Sequence, residues 1–440
     1  MQRVILVVSI CALNVLAPLR AAGSESAMPA GGSVQSVPGR SVRLHNYNNW
    51  HFDGKSAEEL DQKLEIVSRR DNVCYIEYWD RANKIEGWRK ITPQTLRQLN
   101  PNVRVYRLYA LCCKSGWDSD WEDPKDTEYM QTPLTRTTID EQGWWLLDGD
   151  GKLVRESAET WFLDVGKPGF KEAFLQNLLD RLAGKGFDGV VFDYLIPNII
   201  TQCVTSRGQP APSAYPNDDA WFVKAWQPFI SYVTDGLRKA GYRIIGNCAG
   251  EYGAPNPSQA WQRSKVDGTI YEQGAVNWRT TGGAWLDGRT IERRINALAD
   301  DPIEVWFANN GIRHDTADFE RKVVVSLAMY YVAIPASQEK RSYHYSYDWT
   351  PYWQPLWDFY IGVPAEPRVQ VHVNGEKKYA WMRKFTEGIV LLNYESGDSI
   401  MFSLDRAYRT PDGRRVSGDV RLPPHTGMIL ARFRPRRVEP

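Results

Sequence analysis

The sequence predicts an α/β fold: a (β/α)8 TIM barrel followed by a small C-terminal antiparallel β-sandwich domain. Three observations predict it. Apolar segments alternate with helical ones from residue 41 onward, some of the apolar segments end in a carboxylate, and short alternating strands begin after residue 367. We therefore expect a barrel domain over 41–366 and a β domain over 367–440.

The N-terminus has the features of an export signal. One early Arg, an apolar run over 4–19 and the pair Ala21-Ala22 predict a signal peptide over 1–22, and hence a secreted or periplasmic protein. Residues 23–40 are rich in Gly, Ser, Ala and Pro and predict a flexible leader. An uncleaved N-terminal anchor is the alternative. No later segment approaches the roughly 18 apolar residues of a membrane span, so no membrane partner is predicted after cleavage.

Composition narrows the class of partner. The formal net charge is +1, from 54 basic and 53 acidic residues, which argues against nucleic acid and against an anionic membrane surface. The chain also contains 18 Trp and 22 Tyr, and aromatic faces stack on the apolar faces of sugar rings. A carbohydrate partner is therefore predicted, whereas the oligomeric state is not.

Eight apolar segments are predicted to be the barrel strands. The first seven are 42–47, 73–78, 103–109, 189–194, 243–247, 268–272 and 303–309. The amphipathic segment 319–331 then leads to an eighth predicted strand at 332–337. An open doubly wound sheet is disfavoured because no glycine-rich nucleotide loop follows the first strand.

The fourth strand is the organising element. A helical pattern over 170–184 is stopped by Gly184 and Gly186, and the run Val190-Val191-Phe192 then delivers Asp193. In a barrel, residues at the carboxyl ends of the strands face the active site. The sixth strand repeats this arrangement, with Asp-Gly, an apolar run and Glu272.

Two stretches interrupt the pattern, 112–167 and 202–219, and in a barrel such insertions lie on the catalytic face. Within the first, 144–154 predicts a hairpin that turns at Asp148-Gly149. The second is rich in Pro, Ser and Asn and predicts a long surface loop. Both are candidate lids. The C-terminal strands are predicted at 368–373, 379–385, 388–394, 399–404 and 427–433.

Asp193 and Glu272 form a candidate catalytic pair. Hydrolysis of a glycosidic bond needs one carboxyl to protonate the leaving oxygen and another to attack the sugar or to activate water. Glu77 and Glu251 are rivals to Glu272. Other strand ends carry groups that bind hydroxyls or stack on rings, and the candidate substrate-binding residues are Tyr47, Trp50, Glu77, Arg107, Tyr109, Tyr194, Asn247 and Asn309.

Other chemistries have weaker signals. The six His residues are scattered without a zinc-binding spacing, and there is no phosphate loop and no G-x-S-x-G motif, so no metal or cofactor is predicted. A calcium ion held by the acids between 118 and 123 is the alternative to a solvated acidic loop.

These pieces together resemble hypothetical glycosyl hydrolase family fifteen, a group of secreted TIM-barrel proteins distinct from the glucoamylase family of that number. The resembling pieces are 162–166, 186–193, the strand that ends at Glu272, and 361–364, within an overlap over 42–433. Similar barrels, including relatives of α-galactosidases, have a nucleophile after the fourth strand and an acid/base after the sixth. The resemblance thus implies these roles for Asp193 and Glu272. The long 202–219 loop departs from the compact pattern of the family and leaves substrate preference open.

The predicted function is hydrolysis of glycosidic bonds in a neutral oligo- or polysaccharide. Two alternatives stay open: a non-catalytic carbohydrate-binding barrel, in which the acids only bind sugar hydroxyls, and a lyase or transglycosylase on the same fold. The sequence does not predict the sugar, the linkage, the anomer, retention or inversion, or endo or exo action.

Overall fold

The computed structural model describes residues 40–46, 56–76, 79, 90–115, 132–157, 160–247, 257–272, 274–277, 283–309, 318–336, 340–345 and 353–434. The predicted signal peptide and residues 23–39 of the predicted leader lie outside these ranges. Within them, no helix is long and apolar enough to cross a membrane.

Eight parallel strands form the barrel, and they pair in chain order. They are β1 His45–Asn46, β2 Asn72–Tyr75, β3 Arg104–Ala110, β4 Gly189–Asp193, β5 Arg243–Gly246, β6 Gly268–Tyr271, β7 Glu304–Asn309 and β8 Arg341–Tyr345. A parallel bridge between Leu44 and Tyr343 joins the first strand to the eighth and closes the barrel. The predicted TIM-barrel fold is therefore confirmed.

Helices cover the outside of the barrel. They are α1 Ala57–Ser68, α2 Pro93–Leu99, α3 Phe170–Leu182, α4 Gln227–Lys239, α5 Pro257–Arg263, α6 Gly288–Asp300 and α7 Phe319–Ala333. Ser56, Thr92 and Asp287 cap α1, α2 and α6 by accepting a backbone N–H three residues on. The apolar face of α3 is buried on the sheet, as its spacing predicts.

The predicted eighth strand at 332–337 is wrong. Helix α7 continues to Ala333, and the strand lies later, at Arg341–Tyr345. Nearly every residue of α7 is buried because the helix packs between the barrel and the C-terminal sheet, so its last turn has the continuous apolar character of a buried strand. The true strand was missed because Ser342 and His344 point into the barrel, where Ser342 Oγ lies 2.9 Å from the His45 ring.

One aspartate lies directly before each of β2, β4 and β6. Each accepts a hydrogen bond from a backbone N–H in or next to the preceding strand. Asp71 accepts a hydrogen bond from Leu44 N, Asp188 from Val105 N and Asp267 from Ile244 N, at 2.6–2.8 Å. The glycine after Asp188 is needed for close approach of β4 to β5, because a Cβ on Gly189 would lie 2.1 Å from the Arg243 carbonyl oxygen. The Asp-Gly pairs at the start of β4 and β6 therefore fix the pairing of the two strands that carry the candidate acids.

The two insertions pack against each other. Gly149 N donates to Pro210 O at 3.0 Å, and Tyr215 Oη donates to Asp164 at 2.7 Å. The predicted hairpin is present, since Asp148 N bonds to Lys152 O across the turn. The second insertion is not a simple surface loop, because the helical turn at Ile200–Val204 extends into it, a second turn follows at Thr205–Arg207, and Tyr215 is buried.

The C-terminal domain is antiparallel, as predicted. Its strands are β9 Val369–Val373, β10 Glu376–Phe385, β11 Gly388–Asn393, β12 Ile400–Ser403, β13 Tyr408–Arg409, β14 Arg415–Val416, β15 Asp419–Leu422 and β16 Thr426–Arg432. Six of them form one sheet, and β12 with β15 forms a second. A small apolar core separates the two sheets, while the opposite face of the larger sheet packs on α7.

A polar network fills the end of the barrel opposite the candidate site. Glu304, which begins β7 and is buried, accepts hydrogen bonds from Arg243 at 2.8 Å and from Trp306 Nε1 at 2.8 Å. Asn72 donates to the same carboxylate at 3.4 Å. Since these residues come from three strands, this one carboxylate holds β2, β5 and β7 together.

We expect Glu304→Gln to lower the free energy of unfolding by about 1 to 2 kcal/mol, because the amide keeps the shape but loses the charge that Arg243 binds, and that pair is partly screened by solvent. Urea denaturation measures the effect. Glu376→Gln is the control, since its side chain is 77% exposed and should change stability by less than about 0.5 kcal/mol. Equal effects of the two substitutions would contradict the structural role of Glu304.

Candidate active site

Three polar side chains meet at the carboxyl ends of β4, β5 and β6. Asp193 is the last residue of β4, whereas Asn247 and Glu272 directly follow β5 and β6. Parallel pairing of these neighbouring strands brings their ends to one edge of the barrel, which is the face where barrel enzymes hold their active sites. The structure therefore brings together both predicted acids and one predicted binding residue.

The side-chain amide of Asn247 connects the two acids. Its Nδ2 donates to Asp193 Oδ1 at 3.1 Å and to Glu272 Oε2 at 3.2 Å. Because both oxygens contact the same nitrogen, the distance between the two oxygens cannot exceed the sum of these two hydrogen-bond lengths. Asn247 itself is held in place, since its backbone N–H donates to Phe192 O at 2.7 Å and the residue is buried, with 4% exposure.

Tyr194 orients the first acid through its backbone. It has φ 56°, a left-handed conformation that costs a non-glycine residue about 1 to 3 kcal/mol. This turn directs Tyr194 N–H to Asp193 Oδ1 at 2.8 Å. The ring of Phe162 and the thiol of Cys112, which donates to Tyr194 O at 3.4 Å, hold the turn from the first insertion.

Burial determines the ionisation of Asp193. Asp193 is 8% exposed, and its removal from water together with the nearby charge of Glu272 raises its pKa to about 7. The N–H groups of Tyr194 and Asn247 act in the opposite direction because they stabilise the carboxylate. The site thus contains a carboxyl group that exchanges its proton near neutral pH.

Asn309, predicted to bind substrate, lies beside the segment that follows Glu272. Its Oδ1 accepts a hydrogen bond from Ala275 N at 2.8 Å. Glycine is required at position 274, because a Cβ there would lie 2.2 Å from that same Asn309 oxygen. Two residues that the sequence did not indicate, Arg294 and Tyr394, bind this segment as well; both are distant in sequence, and no motif marks either.

Arg107 and Tyr109 have a different environment. Tyr106 contacts Trp306 across the inside of the barrel, at 5.3 Å between ring centroids, so the alternation of β3 turns Arg107 and Tyr109 toward the outer helices. The rings at 5.7–5.8 Å from the Arg107 guanidinium are those of Tyr75, Tyr109 and Phe187. The structure therefore does not group these two residues with the acids.

The remaining predicted site residues, Tyr47, Trp50 and Glu77, lie outside the described residues, as do Glu251 and the acidic stretch 118–123. Among the residues that the structure describes, no group of three or more His, Cys, Asp or Glu side chains could hold a metal ion.

A family model described as hypothetical glycosyl hydrolase family 15 matches residues 97–389, about two thirds of the chain. The chain belongs to this family. Membership confirms the predicted class of enzyme, a glycoside hydrolase, and the match includes Asp193, Asn247 and Glu272. No curated protein matches the chain.

Solved structures with a similar fold include other glycoside hydrolases. The glycoside hydrolase domain of PelA from Pseudomonas aeruginosa is 10% identical over 71% of this chain and 95% of its own, with a TM-score of 0.42. The maltogenic α-amylase AmyB from Thermotoga neapolitana is 10% identical over 89% and 98%, with a TM-score of 0.47. The α-galactosidase AgaA from Geobacillus stearothermophilus is 11% identical over 89% of this chain and 55% of its own, with a TM-score of 0.46. Similarities this distant define neither substrate nor site residues for the family 15 chain.

The raised pKa of Asp193 predicts that Asp193→Asn stabilises the protein above neutral pH. Between the ordinary value of 3.8 and about 7, the unfolded carboxyl is ionised while the folded one keeps its proton, so wild-type stability falls as pH rises. The amide of Asn resembles the protonated carboxyl and does not ionise, so the variant does not lose stability over this pH range. The difference in melting temperature should therefore be small near pH 4 and grow until about pH 7.

The exposed Asp235 on α4 supplies the control, because Asp235→Asn removes one negative charge away from the site. Its effect on melting temperature should not follow this pH dependence. An Asp193→Asn effect that is the same at pH 4 and pH 8 would show that the folded carboxyl ionises at its ordinary pKa.

Proposed function

We propose that this protein hydrolyses glycosidic bonds of a neutral oligo- or polysaccharide, with Asp193 and Glu272 as the catalytic pair. The observation that carries the proposal is the single amide nitrogen of Asn247 bonded to both carboxylates. A shared donor keeps two acids at a fixed, short separation, which is the arrangement that glycoside hydrolysis needs. The burial of Asp193 adds the desolvated setting in which a carboxyl changes its proton affinity.

In the proposed mechanism Asp193 is the nucleophile. Two N–H groups bind its Oδ1, so Oδ2 is the oxygen that attacks the anomeric carbon. As the glycosidic carbon–oxygen bond breaks, Glu272 gives its proton to the departing oxygen. Water then attacks the glycosyl ester, Glu272 takes a proton from it, and Asp193 leaves as a carboxylate. Asn247 and the backbone of Tyr194 orient the pair.

We also propose that the protein acts outside the cytoplasm. The N-terminal signal-peptide pattern over 1–22 supports export, and a net charge of only +1 suits an uncharged glycan. N-terminal sequencing of the protein recovered from the periplasm or the medium should show that residues 1–22 have been removed. Recovery of the intact N-terminus in a membrane fraction would favour an uncleaved anchor.

The nucleophilic role proposed for Asp193 predicts retention of anomeric configuration, because a covalent intermediate inverts the anomeric carbon twice. The shared bonds of 3.1 Å and 3.2 Å to Asn247 keep Asp193 Oδ1 and Glu272 Oε2 close, which is consistent with the shorter carboxyl separation of retaining enzymes. Proton NMR of the first product formed from a glycan that the enzyme cleaves measures this. Initial release of the opposite anomer would contradict a nucleophilic carboxylate.

Asp193→Asn and Glu272→Gln should each lower kcat/KM by about three orders of magnitude or more while the protein remains folded. The measurement is release of reducing ends from a panel of neutral oligo- and polysaccharides, with melting temperatures recorded in parallel. If all three proteins bind glycans and none cleaves them, the protein is a carbohydrate-binding barrel. Unsaturated or transferred products would instead identify a lyase or a transglycosylase.

The pH dependence of the wild type tests the shared protonation of the pair. One carboxyl must be ionised while the other keeps a proton, so kcat/KM should fall as pH rises through about 7, where the pair loses its last proton. A rate that does not change near neutral pH would contradict a coupled catalytic pair.

A further inference from the structure

The segment that follows Glu272 is bound from three directions. Strand β7 holds it through Asn309, whose Oδ1 accepts from Ala275 N, and helix α6 holds it through Arg294, which donates to Gly274 O at 2.7 Å. The third contact comes from the C-terminal domain, where Tyr394 Oη donates to Ala275 O. Residues of two domains thus fix the backbone two and three positions after a proposed catalytic acid.

Tyr394 connects both sides of a hairpin. Its Oη also accepts a hydrogen bond from Leu286 N at 3.2 Å, and the short strands Val276–Asn277 and Ala284–Trp285 pair between the two contacts. The side chain is 1% exposed, so both bonds are shielded from water. Because one hydroxyl joins the start and the end of the hairpin, its removal frees a buried carbonyl and a backbone N–H together.

The ring of Tyr394 is also held in place, by contacts with two other rings. It packs edge to face against His425, at 5.1 Å between centroids, and against Trp285, at 5.9 Å. His425 in turn stacks on Trp285 at 4.6 Å, with only 8° between the ring planes. His425 has φ 48°, a strained conformation that this packing maintains. Two of the three rings belong to the C-terminal domain and one to the barrel hairpin.

We propose that Tyr394 is a positioning residue for the Glu272 carboxylate, so that the C-terminal β domain contributes to catalysis as well as to stability. The inference rests on the proposed function of the Asp193 and Glu272 pair. A peptide group cannot move at Ala275 without displacing the backbone that carries Glu272. Misplacement of a reacting group by about 1 Å can cost on the order of a hundredfold in rate.

Tyr408 offers a matched control. It lies in the same domain, is 2% exposed, and donates its hydroxyl to Asp405 Oδ1 at 2.7 Å, within the C-terminal domain. Tyr408→Phe and Tyr394→Phe each keep a buried ring and remove a hydroxyl that donates a hydrogen bond. Both variants should lower the melting temperature, but only the second removes a contact with the Glu272 segment.

The experiment compares the full-length wild type, Tyr394→Phe, Tyr408→Phe, Asp193→Asn and Glu272→Gln on the neutral glycan that the wild type cleaves fastest. Tyr394→Phe should lower kcat about tenfold to a hundredfold with a smaller change in KM, whereas Tyr408→Phe should leave kcat unchanged. A nitrophenyl glycoside of the same sugar gives a second readout. Its leaving group needs little protonation, so the Tyr394→Phe defect in kcat/KM, which reports the bond-breaking step, should shrink on it if Glu272 is the displaced acid.

The outcomes separate the two proposals. If the acid variants are inactive and Tyr394→Phe has the same kcat as Tyr408→Phe, the positioning role is overturned and the catalytic pair stands. If the acid variants keep wild-type activity, the catalytic pair itself is wrong, and the positioning role is overturned with it. A kcat/KM defect of Tyr394→Phe that is equal on the glycan and on the nitrophenyl substrate would contradict its action through a general acid.

Discussion

The arrangement on which the site depends is the hydrogen-bonded chain Asp193, Asn247 and Glu272. Two carboxyls close together at a buried position repel each other and lose hydration, and both effects raise the pKa of Asp193 to about 7. One neutral amide lowers that cost for both acids at once. Because the three residues come from the ends of β4, β5 and β6, the pair exists only where these strands are in register. The aspartates that precede β4 and β6 and the Glu304 network at the other end of the barrel maintain that register.

The supports of the pair come from distant parts of the chain. The first insertion holds the strained turn at Tyr194, which aims a backbone N–H at Asp193. Helix α6, strand β7 and Tyr394 of the C-terminal domain hold the segment after Glu272. The two acids are therefore anchored by separate sets of neighbours, and the amide of Asn247 joins them. Because Glu272 has its own supports, the C-terminal domain can affect the chemistry that we propose although it contributes no catalytic acid.

The sequence predicted the barrel because buried parallel strands have continuous apolar runs, such as Val190 to Phe192, and both acids because each follows such a run. It misplaced the eighth strand, because the last turn of helix α7 is fully buried and apolar whereas β8 contains the polar residue His344, which enters the barrel. The alternating pattern of β3 did not predict that Arg107 faces outward, because tertiary packing decides which face of a strand points into the barrel. The bridging geometry of Asn247 and the reach of Tyr394 depend on contacts between residues far apart in sequence, which no local pattern records.

The central claim is that Asp193 and Glu272 are electrostatically coupled through a buried site. An NMR titration of isotope-labelled aspartate carboxyls, with the Asp193 signal assigned by its loss in Asp193→Asn, tests it directly. The account predicts that Asp193 titrates near pH 7 in the wild type and at lower pH in Glu272→Gln, where the neighbouring charge is gone. A signal that titrates near the ordinary pKa of 3.8 and does not respond to Glu272→Gln would contradict the coupled pair.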